Sequence, residues 1–310
     1  MKIASLKFSE EENPSFYSVK IDDEGNIRYY NEEGQLHHLD GPAVEYNNGN
    51  EEWYANGKLH RLDGPAIVQG DYKAWYANDK LHRLDGPAIE RTNGDKEWWA
   101  NNKRHRLDGP AIEKADDTKE WWANDKRHRL DGPAVIRADG SKEWWVNNRR
   151  HRLDGPAIEK ADGTKEWWVK GKRHRVDGPA IEKADGTKEW RIHDMLHRLD
   201  GPAIESSDGS KEWWVKGKLH RVDGPAAEWR NGDKWWYVNG KSHRLDGPAS
   251  EWADGTKQWW VNDKLHRVDG PAIIWGDGSK EWHINGKRIG TSTKGFTDEK
   301  FERWKKEHGL

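Results

Sequence analysis

The sequence predicts an all-β chain. The expected form is an elongated, single-layer, twisted antiparallel sheet of tandem β-hairpin repeats, ending in a short C-terminal α-helix cap. Three observations predict it. Asp-Gly-Pro-Ala recurs eleven times, with Asp at 40, 63, 85, 108, 131, 154, 177, 200, 223, 246 and 269. The step is 23 residues everywhere except one step of 22 between Asp63 and Asp85. Between copies, alternating apolar and polar runs flank Asp-Gly and Asn-Gly turn signals. Hydrophobic residues make up only 33% of the chain and charged residues 35%, with 22 Trp against 4 Phe and 2 Met. That is too little apolar material for a thick globule, but it suits a thin sheet covered by rings and charges. The aromatic content also argues against disorder.

The elements follow in order. Residues 1–35 are read as an N-terminal cap with a degenerate repeat, 36–289 as an eleven-repeat hairpin array, and 290–310 as a linker and capping helix. In the cap, Phe16 to Ile21 forms a strand, Asp23-Glu24-Gly25 a turn and Asn26 to Tyr30 a second strand. End repeats are expected to be atypical, because they lack one neighbour.

The segment Asp154 to Arg175 represents the array. Pro156 has no N–H to donate and belongs at a strand start. Ala157 to Lys160 alternates as a half-buried strand does. Asp162-Gly163 turns the chain, since glycine takes positive φ without a Cβ clash. Lys165 to Val169 is the second strand, and Lys170-Gly171-Lys172 the second reversal. A two-residue first loop would set Lys160 against Lys165. A three-residue loop with a glycine bulge sets Glu159 against Lys165 and is preferred, because opposite charges across a ladder stabilise by roughly 0.2–1 kcal/mol. Two departures stand out. Asp116-Asp117 replaces Asp-Gly in one repeat, and the repeat after Asp63 lacks one residue in this turn.

At the end of the array, Ile289 sits where a His is due. Gly290 to Gly295 reads as a linker. Thr297-Asp298-Glu299 opens a helix in the N-cap manner, and Phe301 and Trp304 share a face. Lys305, Lys306 and His308 suit the negative end of the helix dipole, and Gly309 can end it. The last sheet edge needs cover, so the helix is expected to fold back on the last repeat, around Trp275 and Trp282.

Net charge is −2 with the signs interspersed, so no phosphate-binding stripe is present and nucleic acid is not an expected partner. Cysteine is absent, which excludes disulfides and thiolate sites. No apolar leader or long apolar span is seen, and a soluble, cytoplasmic protein is expected.

Taken as Trp167-Trp168-Val169-Lys170-Gly171-Lys172-Arg173-His174-Arg175-Val176-Asp177-Gly178-Pro179-Ala180, continuing to Ala184-Asp185-Gly186-Thr187, the unit resembles the MORN repeat. The likeness spans roughly residues 16–289. The His-Arg-Leu/Val-Asp-Gly-Pro-Ala variant looks like tandem repeats of giant-virus and phage proteins, which would place the chain in a host cytoplasm or a virion. MORN repeats carry Gly after the His, where this chain has Arg, or His38 in one repeat. The resemblance implies a scaffold or interaction surface, and only secondarily an association with lipid.

Each repeat carries a first Trp, as at Trp98, Trp121, Trp144 and Trp167, expected to form a structural core with Asp131, Asp154 and Asp177. One buried ring removes about 150–250 Å² from water, roughly 4–6 kcal/mol as an upper bound. The second position varies. Trp99, Trp122, Trp145, Trp168, Trp214 and Trp260 occupy it in many repeats, Arg191 and His283 in two. Adjacent strand residues point to opposite faces, so these second rings form a variable stripe and the candidate binding surface.

The recurring His, Arg and Asp are read as turn and inter-repeat contacts, with Arg reaching an acid on an adjacent repeat. One His and one Asp per repeat are too few ligands for a metal. The His-Arg-Leu-Asp string lacks the other parts of a kinase site. Eleven equivalent copies do not make one unique active centre. The sequence therefore predicts a non-enzymatic scaffold without cofactor, metal or small-molecule substrate. Its expected partner is another protein or a second copy. The alternative is a glycan- or headgroup-binding Trp ladder.

Overall fold

The structure, a computed structural model, describes the backbone of Lys2–Ala4 and all of residues 18–310. Phe16 and Tyr17, assigned above to the first strand, lie outside the described residues. The chain forms two compact units that meet in sequence at His151 and Arg152. Both are built from tandem antiparallel hairpins, and the one α-helix among the described residues is the short C-terminal one.

In the second unit, Ile158–Glu159 pairs with Lys165–Glu166 in the register Ile158↔Glu166 and Glu159↔Lys165. This is the three-residue loop. The Lys160 N–H bonds the Thr164 carbonyl at 2.9 Å. Gly163 takes φ 91°, and the Thr164 N–H bonds Oδ1 of Asp162 at 2.7 Å. Lys165–Glu166 then pairs with Ile181–Glu182 of the next repeat. The ladder continues in this way to the C-terminal strands. Along one row of it, Glu159, Lys165, Glu182, Lys188, Glu205 and Lys211 alternate in sign.

The run from Lys165 to Val169, expected as one strand, is two. Lys165–Glu166 belongs to the ladder, and Trp168–Val169 turns out of it to pair with Lys172–Arg173. Trp167 is the junction. Its N–H bonds the Ala180 carbonyl at 2.8 Å, and its carbonyl receives the His174 N–H at 3.0 Å. Each repeat thus carries a ladder hairpin and a side hairpin. The side hairpin turns through two residues of positive φ, such as Lys170 (51°) and Gly171 (81°) or Asn147 (50°) and Asn148 (60°). That geometry matches strand twist, and Asn, Asp and Gly accept it with least strain.

Side hairpins of successive repeats are tied through their tips. The Asp194 N–H bonds the Arg173 carbonyl at 2.9 Å, and Oδ1 of Asp194 accepts the Arg173 N–H at 2.9 Å. Where glycine holds this position only the backbone bond forms, as from the Gly217 N–H to the Leu196 carbonyl at 2.9 Å. Ladder hairpins are tied through hydroxyls, with Oγ1 of Thr187 accepting the Ser207 N–H at 3.1 Å.

The first unit repeats this plan. Lys2–Ala4 pairs with Ser18–Ile21, an edge strand that the sequence reading does not assign, and Ser18–Ile21 pairs with Ile27–Tyr30. The ladder then runs to Lys142–Glu143. The 22-residue step is a tightened loop. Gln69 faces Tyr72 directly, leaving Gly70 and Asp71 as a two-residue turn. Asp117, in the place of the usual glycine, is held at φ 69°.

The fully buried residue of each repeat is the alanine of Asp-Gly-Pro-Ala. Ala111, Ala134, Ala157, Ala180 and Ala203 are all 0% exposed. Trp98, Trp121, Trp144 and Trp167 are only half-buried, and Asp131, Asp154 and Asp177 lie on the exposed surface. The expected Trp and Asp core is therefore corrected. A single-layer ladder is too thin to enclose an indole, whereas a methyl group at the closest backbone approach is covered completely.

Trp282 is an exception, at 1% exposure. It packs with Ile284 and Phe301 against Ile289, Phe296 and Trp304. The segment Gly290 to Gly295, expected as a linker, instead begins inside the strand Lys287–Thr291 and continues as the turn Ser292–Lys294. A Cβ at Gly290 would stand 2.2 Å from the Phe296 ring, so glycine is required for that ring to seat. The helix Asp298–Glu307 starts at Thr297, whose side chain accepts the Lys300 N–H. The Trp282 Nε1–H bonds Oδ1 of Asp298 at 3.2 Å. The helix thus docks on the last repeat through Trp282, and Trp275 stays 39% exposed.

Candidate functional site: the surfaces of the repeat

The His-Arg-Leu/Val-Asp-Gly-Pro-Ala string builds an arginine clamp. The Arg175 guanidinium lies 4.1 Å from the Trp167 ring centroid. Its Nε–H bonds Oδ1 of Asp177 at 3.2 Å. Its Nη1–H reaches the Pro179 carbonyl and Oε1 of Glu182, each at 3.2 Å. A Cβ at Gly178 would sit 2.8 Å from Cζ of Arg175, so glycine lets the guanidinium lie flat between ring and backbone. Arg198, Arg221 and Arg244 repeat the stack on Trp190, Trp213 and Trp236 at 3.9, 4.0 and 4.2 Å. Such contacts contribute on the order of 0.5–2 kcal/mol each. The arginine therefore binds one acid in the turn that follows it and a second in the strand beyond. The hydrogen bond from Arg221 holds the exposed Asp223 carboxyl below its usual range.

The second aromatic position meets a different set of partners. In the first unit, the indole N–H groups of Trp99, Trp122 and Trp145 donate to Oε2 of Glu97, Glu120 and Glu143 at 3.1, 3.0 and 3.1 Å. In the second, Trp168 and Trp214 donate to Glu166 and Glu212 at 3.1 and 2.8 Å, and Trp260 to Gln258 at 3.0 Å. Arg191 and His283 keep the pattern by bonding Glu189 and Glu281. Arginines fill the spaces between rings, Arg104 lying 4.6 Å from Trp99 and 5.2 Å from Trp122. The candidate binding stripe is therefore an internally satisfied ladder of ring, acid and arginine. Burial raises the Glu143 and Glu189 carboxyls, but Arg137 and Arg150 beside one, and Arg191 and Lys183 beside the other, outweigh it and leave both below their ordinary value.

The recurring histidine is an acceptor between repeats. Nδ1 of His197 receives the Lys216 N–H at 3.1 Å, and Nδ1 of His220 the Asn239 N–H at 3.0 Å. An Nδ1 used in this way is unprotonated and unavailable to a metal. His174 differs. It stands 4.4 Å from the His193 ring, and its buried Nδ1 has no partner. Burial and the neighbouring His193 push its pKa down. Among the described residues no three His, Asp or Glu side chains converge as metal ligands.

One surface is not foreseen by the sequence reading. The Leu or Val between Arg and Asp is turned outward in repeat after repeat. In the first unit Leu62, Leu84, Leu107 and Leu130 are 80–87% exposed. In the second, Leu153, Val176, Leu199, Val222 and Leu245 are 80–81% exposed, and Val268 is 47% exposed. The C-terminal helix reaches this last position, where Nζ of Lys305 bonds the Val268 carbonyl at 2.9 Å. The signal available in sequence is an apolar residue held at a turn position by its repeat period. No helix among the described residues is long and apolar enough to cross a membrane. Compared with models of known protein families and with curated proteins, the chain finds no match.

Proposed function

We propose that the chain is a non-enzymatic repeat scaffold that binds a protein partner along its hairpin array, as its resemblance to MORN repeats implies. The observation that supports this is the row of outward Leu and Val side chains. A solvent-exposed apolar residue is unremarkable singly, but a contiguous exposed apolar patch marks an interaction site. Equivalent positions on stacked repeats bring these side chains to one edge of each unit, two strands apart, roughly 10 Å. Each is followed by an exposed Asp, so the edge alternates apolar and acidic groups. A partner that supplies apolar side chains and cations at the same interval fits it better than a second copy, which would set Asp against Asp. The rings at Trp99, Trp122 and Trp145 contribute rigidity in this reading, since their N–H groups are already bonded. The scaffold is proposed to act in the cytoplasm.

The test is affinity purification from the native source with Leu153, Val176 and Leu199 all changed to Ser. These side chains make few contacts, so the variant folds as the parent does. It is expected to lose the parent's principal co-purifying protein. Recovery of the same partner in the same amount would overturn the proposal.

A further inference from the structure

The ring, acid and arginine ladder changes character in the last repeats of the second unit. Around Lys160, Glu166 and Arg173, and again around Lys183, Glu189 and Arg191, it is ionic. At the positions of Lys160 and Lys183 the later repeats carry Trp229, Trp252 and Trp275. At the position of Glu166 and Glu189 they carry first Trp235, then Gln258, and Glu281 again in the last. Indoles thus replace the lysine position in three consecutive repeats, and the acid position as well in the first of them.

The result is a hollow of about 510 Å³, lined by Trp229 and Trp235 together with Asp208, Asn231 and Asp233. The two rings meet edge to face with centroids 5.7 Å apart. Trp229 is 37% exposed. Nε1 of Trp235 is buried and has no hydrogen-bond partner, whereas in other repeats the acid that Trp235 replaces accepts the indole N–H two residues further on. A buried donor without an acceptor is unfavourable, so this repeat gives up a polar contact in placing a second indole beside Trp229. The rim is polar and pre-arranged. Asn231 Nδ2–H bonds Oδ2 of Asp233 at 2.9 Å, and Oδ1 of Asp208 holds the Ser210 N–H at 2.8 Å.

We infer that this face binds a neutral, unbranched β-linked oligosaccharide. A pyranose ring offers an apolar C–H face to an indole and hydroxyls to carboxylate and amide groups, the combination that lines the hollow. Arg230 is the one cation of the lining, which holds no Lys or Glu, so neither a phosphate nor a uronic acid finds paired cations there. Trp252 and Trp275 continue the row at successive two-strand steps of roughly 10 Å. Two sugars of an extended β-linked chain span about that length, so alternate rings of one chain can rest on successive indoles. The glycan-binding alternative thus moves from Trp99, Trp122, Trp145 and Trp168 to Trp229, Trp235, Trp252 and Trp275. It does not depend on the Leu and Val edge.

The test is isothermal titration and tryptophan fluorescence of the whole chain with hexasaccharides of β-1,4-linked glucose, xylose and N-acetylglucosamine, with the matching disaccharides and with maltohexaose. At least one β-linked hexamer is expected to bind and change the fluorescence, with the disaccharide and maltohexaose much weaker. Trp229→Ala is expected to weaken binding by roughly tenfold, the loss typical of a truncated aromatic anchor. Trp229→Tyr, which keeps a ring, should retain most of it. Trp168→Ala in the ionic stretch is the control for general damage. Failure of all three hexamers to bind at millimolar concentration would overturn the inference, as would equal loss in the Trp168 and Trp229 variants. Saturable binding of this face to a protein or to phosphatidylcholine vesicles, with no binding of sugar, would also overturn it.

Discussion

Glu143 offers a test of how the ladder is held together. It is 7% exposed and accepts from Arg137, Arg150 and the Trp145 indole. Glu143→Gln keeps the shape and an acceptor for the indole. The array already contains this arrangement, since Gln258 receives the Trp260 N–H at 3.0 Å. There, however, Leu265 faces Trp260 and no arginine stands at that position. At Glu143 the substitution leaves two guanidinium groups without their carboxylate. The Arg137 and Arg150 side chains are 49% and 35% exposed, so water replaces part of each bond. Exposed ion pairs contribute about 0–1 kcal/mol each, and the new amide N–H₂ must find an acceptor in a nearly closed site. The expected loss is about 1–2 kcal/mol at neutral pH, confined to this repeat and its neighbours because contacts run between adjacent repeats. Hydrogen exchange over residues 135–150, with urea unfolding, reads it. The sign with pH follows from the lowered carboxyl. Its contribution is complete above the ordinary value of 4.5 and is lost as pH falls through the lower folded-state value. The gap between parent and variant should therefore close in acid. A variant as stable as the parent at pH 7, or a gap that persists in acid, would refute the reasoning.

Three further outcomes are expected. Asp117→Gly relieves a left-handed, non-glycine residue and should raise local stability by about 0.5–1 kcal/mol, measured as slower exchange in its loop. Phe301→Ala empties the apolar cluster around Trp282 and should cost about 3–5 kcal/mol of local stability, read as lost protection in residues 280–310; unchanged protection would show that the helix does not hold this end. The depressed pKa of His174 favours its neutral form in the folded state. Protection around it should be full above the ordinary value of 6.5 and fall as pH drops through the folded-state value, and His193→Ala, which removes one of the two causes and so raises that value, should make the loss smaller and complete at a higher pH.

Much of the architecture was legible in residues whose effects are local. The Asp-Gly-Pro-Ala period fixed the repeat. Opposed charges at Glu159 and Lys165 chose the three-residue loop, and that register is the one formed. Asn and Gly at the side-hairpin tips announced positive φ, and Thr297 announced the helix start. Each depends on neighbours in the chain or directly across a turn, where covalent geometry and short-range hydrogen bonds dominate.

What only the tertiary structure decided concerns contacts made across repeats and the thinness of the sheet. The strand break at Trp167 follows from its bond to Ala180 of the next repeat, which no local pattern encodes. The same thinness makes alanine, not tryptophan, the closed core and leaves the indoles as platforms for arginine. Leu153 and Val176 read as apolar in any list, yet a residue's hydrophobicity does not say which way its turn points. Trp229 and Trp235 are six residues apart and unremarkable in a chain with 22 Trp; the hairpin brings them edge to face. Their meeting depends on backbone packing in three dimensions, and so does the hollow they form.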